Sequence, residues 1–594
     1  MPALRRPDPR PAGVRRPVRT DRWGNDEVRL TIGNGDRGAK VRTGIRFHHP
    51  AAFWAGTASI VVGVLAHLPE FVAARDMDYM MAGMPMSGLM RFGMVLIVVG
   101  ITLAAFGLFP RRETLRGRRS GLEGYHFRSM DDAPLSGAHW GLLFVLGVAL
   151  VVDVMKPATL GFVVPGLREE YGISTARAAL LPLMALTGTT IGSLLWGVLA
   201  DRLGRRASIL LASLLFIGTA ICGFMPAFGW NLLMCFMMGM SAGGMLPIVY
   251  ALMAESVPAK KRGWLVVLHG GMGTVGGYLA ASGFAAWLEP HFGWRILWFL
   301  GLPTGALVLL LNRWIPESPR FLLERGRGQE ARQVMGRYGV VLERDEDAPL
   351  EQVVEEEEHA VHSLRGLGRL FRPPFRPQTL TVGLYGLSWG LVNWGFLTFL
   401  PTMLRDLGYR SGAASSLLFL SAVIAVPGTV VVAYAYGRWS SKKSMILYAL
   451  ATAGSLVGFV LVRPDPTGGS QVFLTALVVG LLIFSGGVIS MLSPYTAEVF
   501  PTYLRGTGSG LAAGSSKLGG ILGPPVMAGV LTITAGMAGP ALVATAPLVA
   551  AALVLTFKGV ETRGQRLEDI QARMYGEAVM EPVVTKKATE PRPG

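Results

Sequence analysis

The chain has 594 residues, of which 51% are hydrophobic and 16% charged, with a mean hydropathy of +0.43 and a formal net charge of +17. A soluble multidomain protein needs about a quarter of its residues charged to cover its surface, so that class is excluded. Nucleic-acid binding is not the reason for the basic excess either: Arg and Lys collect in the N-terminal tail, in RRETLRGRR (111–119) and in the segments joining alternate apolar runs, as membrane topology demands.

The first 45 residues are rich in Arg, Pro and Gly and have no apolar core. They read as a disordered basic cytoplasmic tail (1–50), not a signal peptide. Two apolar runs, 51–68 and 88–109, form a hairpin unit (51–110). Its outer loop, RDMDYMMAGMPMSGLM (75–90), holds Met77, Met80, Met81, Met84, Met86 and Met90, with His67 nearby. Thioethers can hold Cu(I), so a copper-handling loop stands as the alternative to the plainer reading, a flexible apolar cover with no metal. A basic linker (111–138) follows.

Six runs come next, at 139–165, 178–200, 207–226, 230–254, 264–288 and 294–314. Cys222 and Cys235, the only cysteines, lie within them, so neither a disulfide nor a zinc framework is available. The polar segment 315–377 contains SPRFLLERGRGQEARQVMGRYG (318–339), which reads as an amphipathic helix, and the solvated acidic run EEEE (355–358). A second set occupies 379–403, 413–436, 444–462, 471–493, 507–532 and 537–557, within a unit spanning 378–558, before a C-terminal tail (559–594). The expected fold is an all-α polytopic membrane protein: two six-helix halves, 139–314 and 378–558, plus the hairpin, about 14 spans in all. Both termini and the middle loop belong on the positive, cytoplasmic side.

The two sixes echo one another. AESVPAKKRG (254–263) and AEVFPTYLRG (497–506) each follow the fourth span of a half, with Ala, Glu, Pro, Arg and Gly at the same spacing. PGLREEYG (165–172) and PTMLRDLG (401–408) end the first spans, and PESPR (316–320) and VETRG (560–564) follow the sixth. The chain is a duplicated six-helix unit.

Between the second and third core spans stands GVLADRLGRR, from Gly197 to Arg206. Gly197 would let a neighbouring helix approach, and Asp201 would face a helix N-terminus. Arg202, Arg205 and Arg206 would anchor the turn inside, around Gly204. This G-x-x-x-D-R-x-G-R-R spacing resembles the signature loop of the major facilitator superfamily, and PESPR, the paired E-x-x-P-x-x-x-R-G segments and VETRGQRLEDI (560–570) resemble its sugar-porter-like branch. That branch includes proton-coupled carriers of aromatic acids and niacin. The resemblance covers about 139–575 and implies a transporter, not an enzyme, without a cofactor, whose halves rock about a central site. The sequence departs from the pattern in places. The second-half loop, AYAYGRWSSKK (433–443), has Gly437 where the acid belongs. The fifth and seventh core spans lack glutamine, which disfavours a hexose, and the fifth lacks the Gly-Pro pair of drug antiporters.

Glu255 and Arg262, like Glu498 and Arg505, are seven residues apart at span ends, with Glu317, Arg320, Glu561 and Arg563 on the same face. They are expected to close the cytoplasmic side in one state and part in the other. Within the apolar runs, ionisable groups are costly and therefore candidates for function. LVVDVMKPATLG (150–161) places Asp153 and Lys156 three residues apart on one helix face, beside Pro157, which cannot donate to the Asp153 carbonyl. Asp153 is the candidate proton carrier. Lys156 and Lys517 are candidates for attracting a carboxylate, and His269 for relaying protons. Trp389, Asn393, Trp394, Tyr250, Tyr278 and Tyr495 are the remaining candidates for substrate contact. The expected function is proton-coupled symport of a small organic anion by a monomer in the lipid bilayer of the cell membrane. The alternatives are export of an organic compound and a substrate sensor that no longer transports.

Overall fold

The computed structural model describes residues 48–109, 135–325, 327–338, 368–462, 469–534, 536–563 and 574. The basic tail, RRETLRGRR and the EEEE run lie outside the described residues, as does VETRGQRLEDI beyond Arg563.

Apolar runs in a bilayer fold as helices because their backbone groups find no water there and must pair within the segment. The leading hairpin is two such helices, Pro50–Leu65 and Gly88–Leu108, packed along each other. Their contact is backbone on backbone: a Cβ added at Gly56 would sit 2.5 Å from the Gly100 carbonyl oxygen. Small residues substitute here for the hydrophobic drive that lipid does not supply. Ile60, Ile97 and Ile101 of the hairpin meet Gly218 of the third core span.

The first half comprises span 1 (Gly137–Tyr171), span 2 (Leu180–Leu203) and span 3 (Arg205–Gly218), which tightens into a 3-10 turn at Thr219–Phe224. Span 4 is broken into Phe228–Ala242 and Met245–Ser256 around a Gly-Gly step. Span 5 (Ala259–Phe292) and span 6 (Gly301–Leu311) complete it. In the second half, span 7 runs as Arg376–Gly390, a π-helical turn Leu391–Phe396, and Leu397–Asp406. Span 8 is Ser411–Ala425 and Gly428–Tyr434 with a second π-turn at Ala435–Trp439. Spans 9 to 12 are Ser441–Val460, Gly469–Val499, Thr502–Ile533 and Ala538–Lys558.

Among the described residues, eleven helical runs, two of them in the hairpin, are long and apolar enough to cross a membrane by themselves. Spans 4, 5 and 7 fall short of that standard and complete the two sixes. They are broken, Gly-rich or interrupted by a π-turn, and they are supported by packing against other spans. The helix of span 1 runs on through Pro157 and Pro165. The amphipathic helix expected at 318–339 is two shorter ones, Pro319–Glu324 and Gly328–Arg337. They lie against the end of the bundle that carries the Asp201–Arg206 turn, called here the basic face; the Tyr338 ring packs at a tilt against His139 of span 1, with ring centroids 4.8 Å apart.

Candidate substrate and coupling site

Asp153 and Lys156 do not form the pair their spacing anticipates. Lys156, 2% exposed, donates to the Phe216 carbonyl oxygen (2.7 Å) and the Thr219 hydroxyl (2.9 Å), with Nζ 3.6 Å over the Phe216 ring. The ammonium is drawn there because span 3 tightens into its 3-10 turn at that level, and helix ends present carbonyls in need of donors. Asp153 is buried as well, and the cation whose field reaches it is Lys517 of span 11. A void of about 10 Å³ lies beside Asp153, lined by Ser213, Phe216, Ser241 and Met245 among others, close to the least volume that admits one water. The Ser241 hydroxyl has no hydrogen-bond partner among the described residues.

Lys517 reaches across the two halves. Its Nζ lies 3.4 Å from the Thr189 carbonyl oxygen of span 2, a long contact that leaves the ammonium under-used. Next to it, spans 7 and 11 approach so closely that a Cβ at Gly390 would sit 2.2 Å from the Ser516 carbonyl oxygen. The π-turn of span 7 carries Asn393 and Trp394. Its five-residue repeat sets Trp394 beneath Trp389, edge to face with centroids 6.5 Å apart. A π-turn inside an α-helix is a frequent mark of a functional position. Trp389 Nε1 is buried with no partner among the described residues, and Asn393 is half-buried beside the pair.

The other candidates scatter. Tyr278, on span 5, packs on Phe162 and has a buried hydroxyl with no partner among the described residues. The Tyr250 hydroxyl lies beside Gly270, where Ser490 of the other half also comes close. Tyr495 belongs elsewhere: fully buried, its hydroxyl accepts from the Val560 N–H (2.9 Å) at the basic face. His269 bridges spans 5 and 1. A separate apolar cavity of about 590 Å³ lies between spans 5 and 8, lined by Gly276, Phe284, Trp287 and Phe419 among others.

At the basic face each half closes on itself. Glu317 accepts from the backbone N–H of Arg205 (2.8 Å), the first residue of span 3. Glu561 accepts from the N–H of Ser441 (2.9 Å), the first residue of span 9, and from the hydroxyls of Ser441 (2.7 Å) and Ser440. Both acids therefore cap a helix N-terminus, where orphan N–H groups and the dipole favour negative charge. The role expected for Asp201 falls to Glu317, since Asp201 is 75% exposed and 3.6 Å from Arg205 of its own turn. Gly197 has no neighbour within 4 Å of an added Cβ, so it makes no close helix approach. Gly204 is the glycine the turn requires: its φ is +98°, and a Cβ there would meet Glu317 Oε2 at 2.4 Å. The carbonyls of Arg202 and Arg206 accept from Arg325 (2.9 Å) and Asn312 (3.2 Å).

Glu498 accepts from the Tyr436 hydroxyl (2.9 Å) and the Thr562 hydroxyl (2.6 Å), and Arg563 donates to the Trp439 carbonyl (2.8 Å). Arg262 donates to the Val257 carbonyl (3.0 Å). The side chains of Glu255, Arg320 and Arg505 lie outside the described residues. Burial pushes the Glu317 carboxyl above the usual range, against the opposing backbone N–H groups of Ser318 and Arg205. At Glu561 burial also pushes upward, but hydrogen bonds from Ser440, Ser441 and the Arg563 N–H outweigh it and hold the carboxyl below the usual range.

The far face carries pairs that sequence reading missed. Glu289 of span 5 pairs with Arg405 of span 7, and the Ser415 hydroxyl of span 8 donates to it (3.4 Å). Arg168 of span 1 lies 3.9 Å from Asp406. Both ion pairs join one half to the other. The signal was present in the PGLREEYG and PTMLRDLG echoes, which hold three of these four charges. Within the first half, Glu170 binds Arg295 (2.6 Å), the Trp294 indole N–H (2.9 Å) and the backbone N–H groups of Met81 (2.7 Å) and Ala82 (2.8 Å). The methionine-rich loop is thus pinned by its backbone. Met81 is buried, Met84 and Met86 pack half-buried on the core, and Met77 and Met80 are exposed.

A family model described as Major Facilitator Superfamily matches residues 142–524. The niacin transporter of Acinetobacter baylyi is 26% identical over 444 residues, covering 74% of this chain and 98% of its own length. The 4-hydroxybenzoate transporter of Pseudomonas aeruginosa is 29% identical over 445 residues, with coverages of 71% and 94%. The inward-open structure of the xylose transporter from E. coli aligns with a TM-score of 0.56 at 20% identity, over 73% of this chain and 99% of that one, a likeness of fold.

Proposed function

Because this chain belongs to the Major Facilitator Superfamily, whose members are multi-pass membrane transporters and not enzymes, we propose that it is a proton-coupled symporter of a small aromatic carboxylate. The observation that carries this reading is Lys517: a membrane-depth cation within the field of Asp153, loosely held by Thr189 across the halves, on the helix that packs against the span carrying Trp389 and Trp394, where the Trp389 indole N–H has no partner among the described residues. Protonation of Asp153 removes the negative field that acts on Lys517. The ammonium is then available to a substrate carboxylate, while Trp389 and Trp394 offer faces for an aromatic ring and Trp389 Nε1 a donor. One proton thereby accompanies one anion. Lys156 is excluded from this role by its bonds to span 3. Niacin and 4-hydroxybenzoate, named for two relatives, share an aromatic ring bearing a carboxylate, which matches this donor set.

The pairs Glu289–Arg405 and Arg168–Asp406, which join the halves at the far face, support reading that face as the outer one and as closed in this state. In this reading the basic face and both termini are cytoplasmic, the membrane is the cell membrane and the working unit is one chain. The test is uptake into proteoliposomes under an imposed inward proton gradient, with nicotinate, 4-hydroxybenzoate and xylose compared. Saturable accumulation of the carboxylates, but not xylose, is expected. Asp153→Asn should lose gradient-driven accumulation while still exchanging substrate, and Lys517→Gln should raise KM by about tenfold or more, the loss of one charge-assisted contact. Wild-type accumulation by Asp153→Asn would remove the coupling assignment.

A further inference from the structure

His67 and His269 adopt the same arrangement on their helices, with Nδ1 facing the carbonyl oxygen four residues earlier: 2.9 Å to Gly63 and 3.0 Å to Leu265. They differ at the other ring nitrogen. Nε2 of His67 has no partner among the described residues, so a neutral ring protonated on Nδ1 meets every contact that side chain makes. Nε2 of His269 lies 2.8 Å from the carbonyl oxygen of Leu143 on span 1. Both ring nitrogens of His269 therefore face oxygens that only accept. Either neutral tautomer sets a nitrogen lone pair against an oxygen lone pair; only the ring carrying both N–H protons donates to both. The side chain is 5% exposed, so solvent does not relieve the conflict.

We propose that His269 is a second proton-binding site, occupied in this conformation, that ties span 5 to span 1. Binding forms one N–H bond on the neutral ring with a proton delivered from water, and nothing else is exchanged. The site lies ten residues from Asp153 along span 1, about 15 Å toward the basic face. It is distinct from the void beside Asp153, whose lining does not include it.

Among the described residues no carboxylate forms an ion pair with the ring; the carbonyl dipoles of Leu265 and Leu143 compensate the imidazolium. Among the groups on the elements packed around it, His139 of span 1 is one turn nearer the basic face and is engaged by Ser136 (2.8 Å). Span 4 presents the Tyr250 hydroxyl beside Gly270, and spans 8 and 10 present the neutral Thr429 and Ser490 at Gly270 and Gly271. On its own helix, Arg262 is turned to the Val257 carbonyl. Loss of the proton leaves one contact repulsive, so the ring must withdraw from Leu143 or from Leu265. Proton occupancy is in this way linked to the packing of span 5 on span 1.

That His269 binds a proton stands on geometry alone; that the proton contributes to coupling rests on the symport reading above. The test is ring-nitrogen NMR of the full-length chain labelled at histidine in lipid bilayers, titrated across the range in which the chain stays folded. His269→Gln identifies the resonance, and His269→Asn serves if that variant does not fold. The expected result is a ring with both nitrogens protonated and hydrogen-bonded, lost in the variant. A His269 ring held in a neutral tautomer throughout would overturn the proposal while leaving gradient-driven uptake untouched. Uptake insensitive to the proton gradient, with the doubly protonated ring present, would refute symport and leave the site standing.

Discussion

Acidic side chains treat the two ends of the bundle differently. At the far face Glu170 and Glu289 each bind a guanidinium, Arg295 and Arg405, and the second of these pairs crosses between halves. At the basic face Glu317, Glu498 and Glu561 accept mainly from backbone N–H groups and hydroxyls, each within its own half. A contact that must break when the halves separate is a bistable element, whereas a cap within one half moves with it as a rigid body. The difference thus sorts the charges into those that report the state of the transporter and those that only hold its parts together.

Glu170 is the strongest test of the second class. Arg295 is 1% exposed and donates to Glu170, to the carbonyls of Gly223 and Met225 and to the Tyr171 hydroxyl. Glu170→Ala strands that buried charge and frees the hairpin loop at Met81 and Ala82. It should cost about 3–5 kcal/mol, the usual penalty for breaking a buried pair, and appear as a large drop in the melting temperature of the purified protein. Expression at the wild-type melting temperature would show that the hub is dispensable. The smaller effect belongs to Glu289 and Arg405, where both single variants and the double variant should reveal a coupling of about 1–3 kcal/mol. Here the decisive readout is conformational: labelling of a cysteine placed at Thr402, buried near the far end of span 7, should quicken in Arg405→Ala, because the far face opens more often. Equal labelling would mean that this pair does not govern closure.

The helical rods and the duplication were legible in the sequence, since hydropathy and spaced echoes are one-dimensional signals. Even spans 4, 5 and 7, which as folded helices fall short of crossing a membrane on their own terms, were visible as apolar runs at 230–254, 264–288 and 379–403. Side-chain destinations were not legible. A spacing of three fixes where the Cβ of Lys156 starts, but a four-carbon stem lets the ammonium end on span 3, sixty residues away. The π-turn that sets Trp394 edge to face with Trp389 adds a residue to one turn, and no composition signal marks it. Glu317 and Glu561 were recognised as a repeated motif and assigned to gating. Their partners, Arg205 and Ser441, lie more than a hundred positions earlier, so only the fold could reveal helix caps.

Those two caps give the finest distinction, because the duplicated positions titrate in opposite directions. The Glu561 carboxyl is held below its ordinary value of about 4.3. The stability it contributes is fully present above that value and is lost as pH falls through the depressed one. The Glu317 carboxyl is pushed upward by burial. Its proton is held more tightly in the folded chain, so stability declines as pH rises from the ordinary value through the raised one. Melting temperatures measured from about pH 3 to pH 7 should therefore change in opposite senses in the two variants. Glu561→Gln should flatten the acid limb, and Glu317→Gln the limb above it. Each also loses a cap worth about 1 kcal/mol. If both variants altered the same limb, the serines at 440 and 441 would not be what distinguishes the second-half turn from its intact counterpart at Asp201–Arg206.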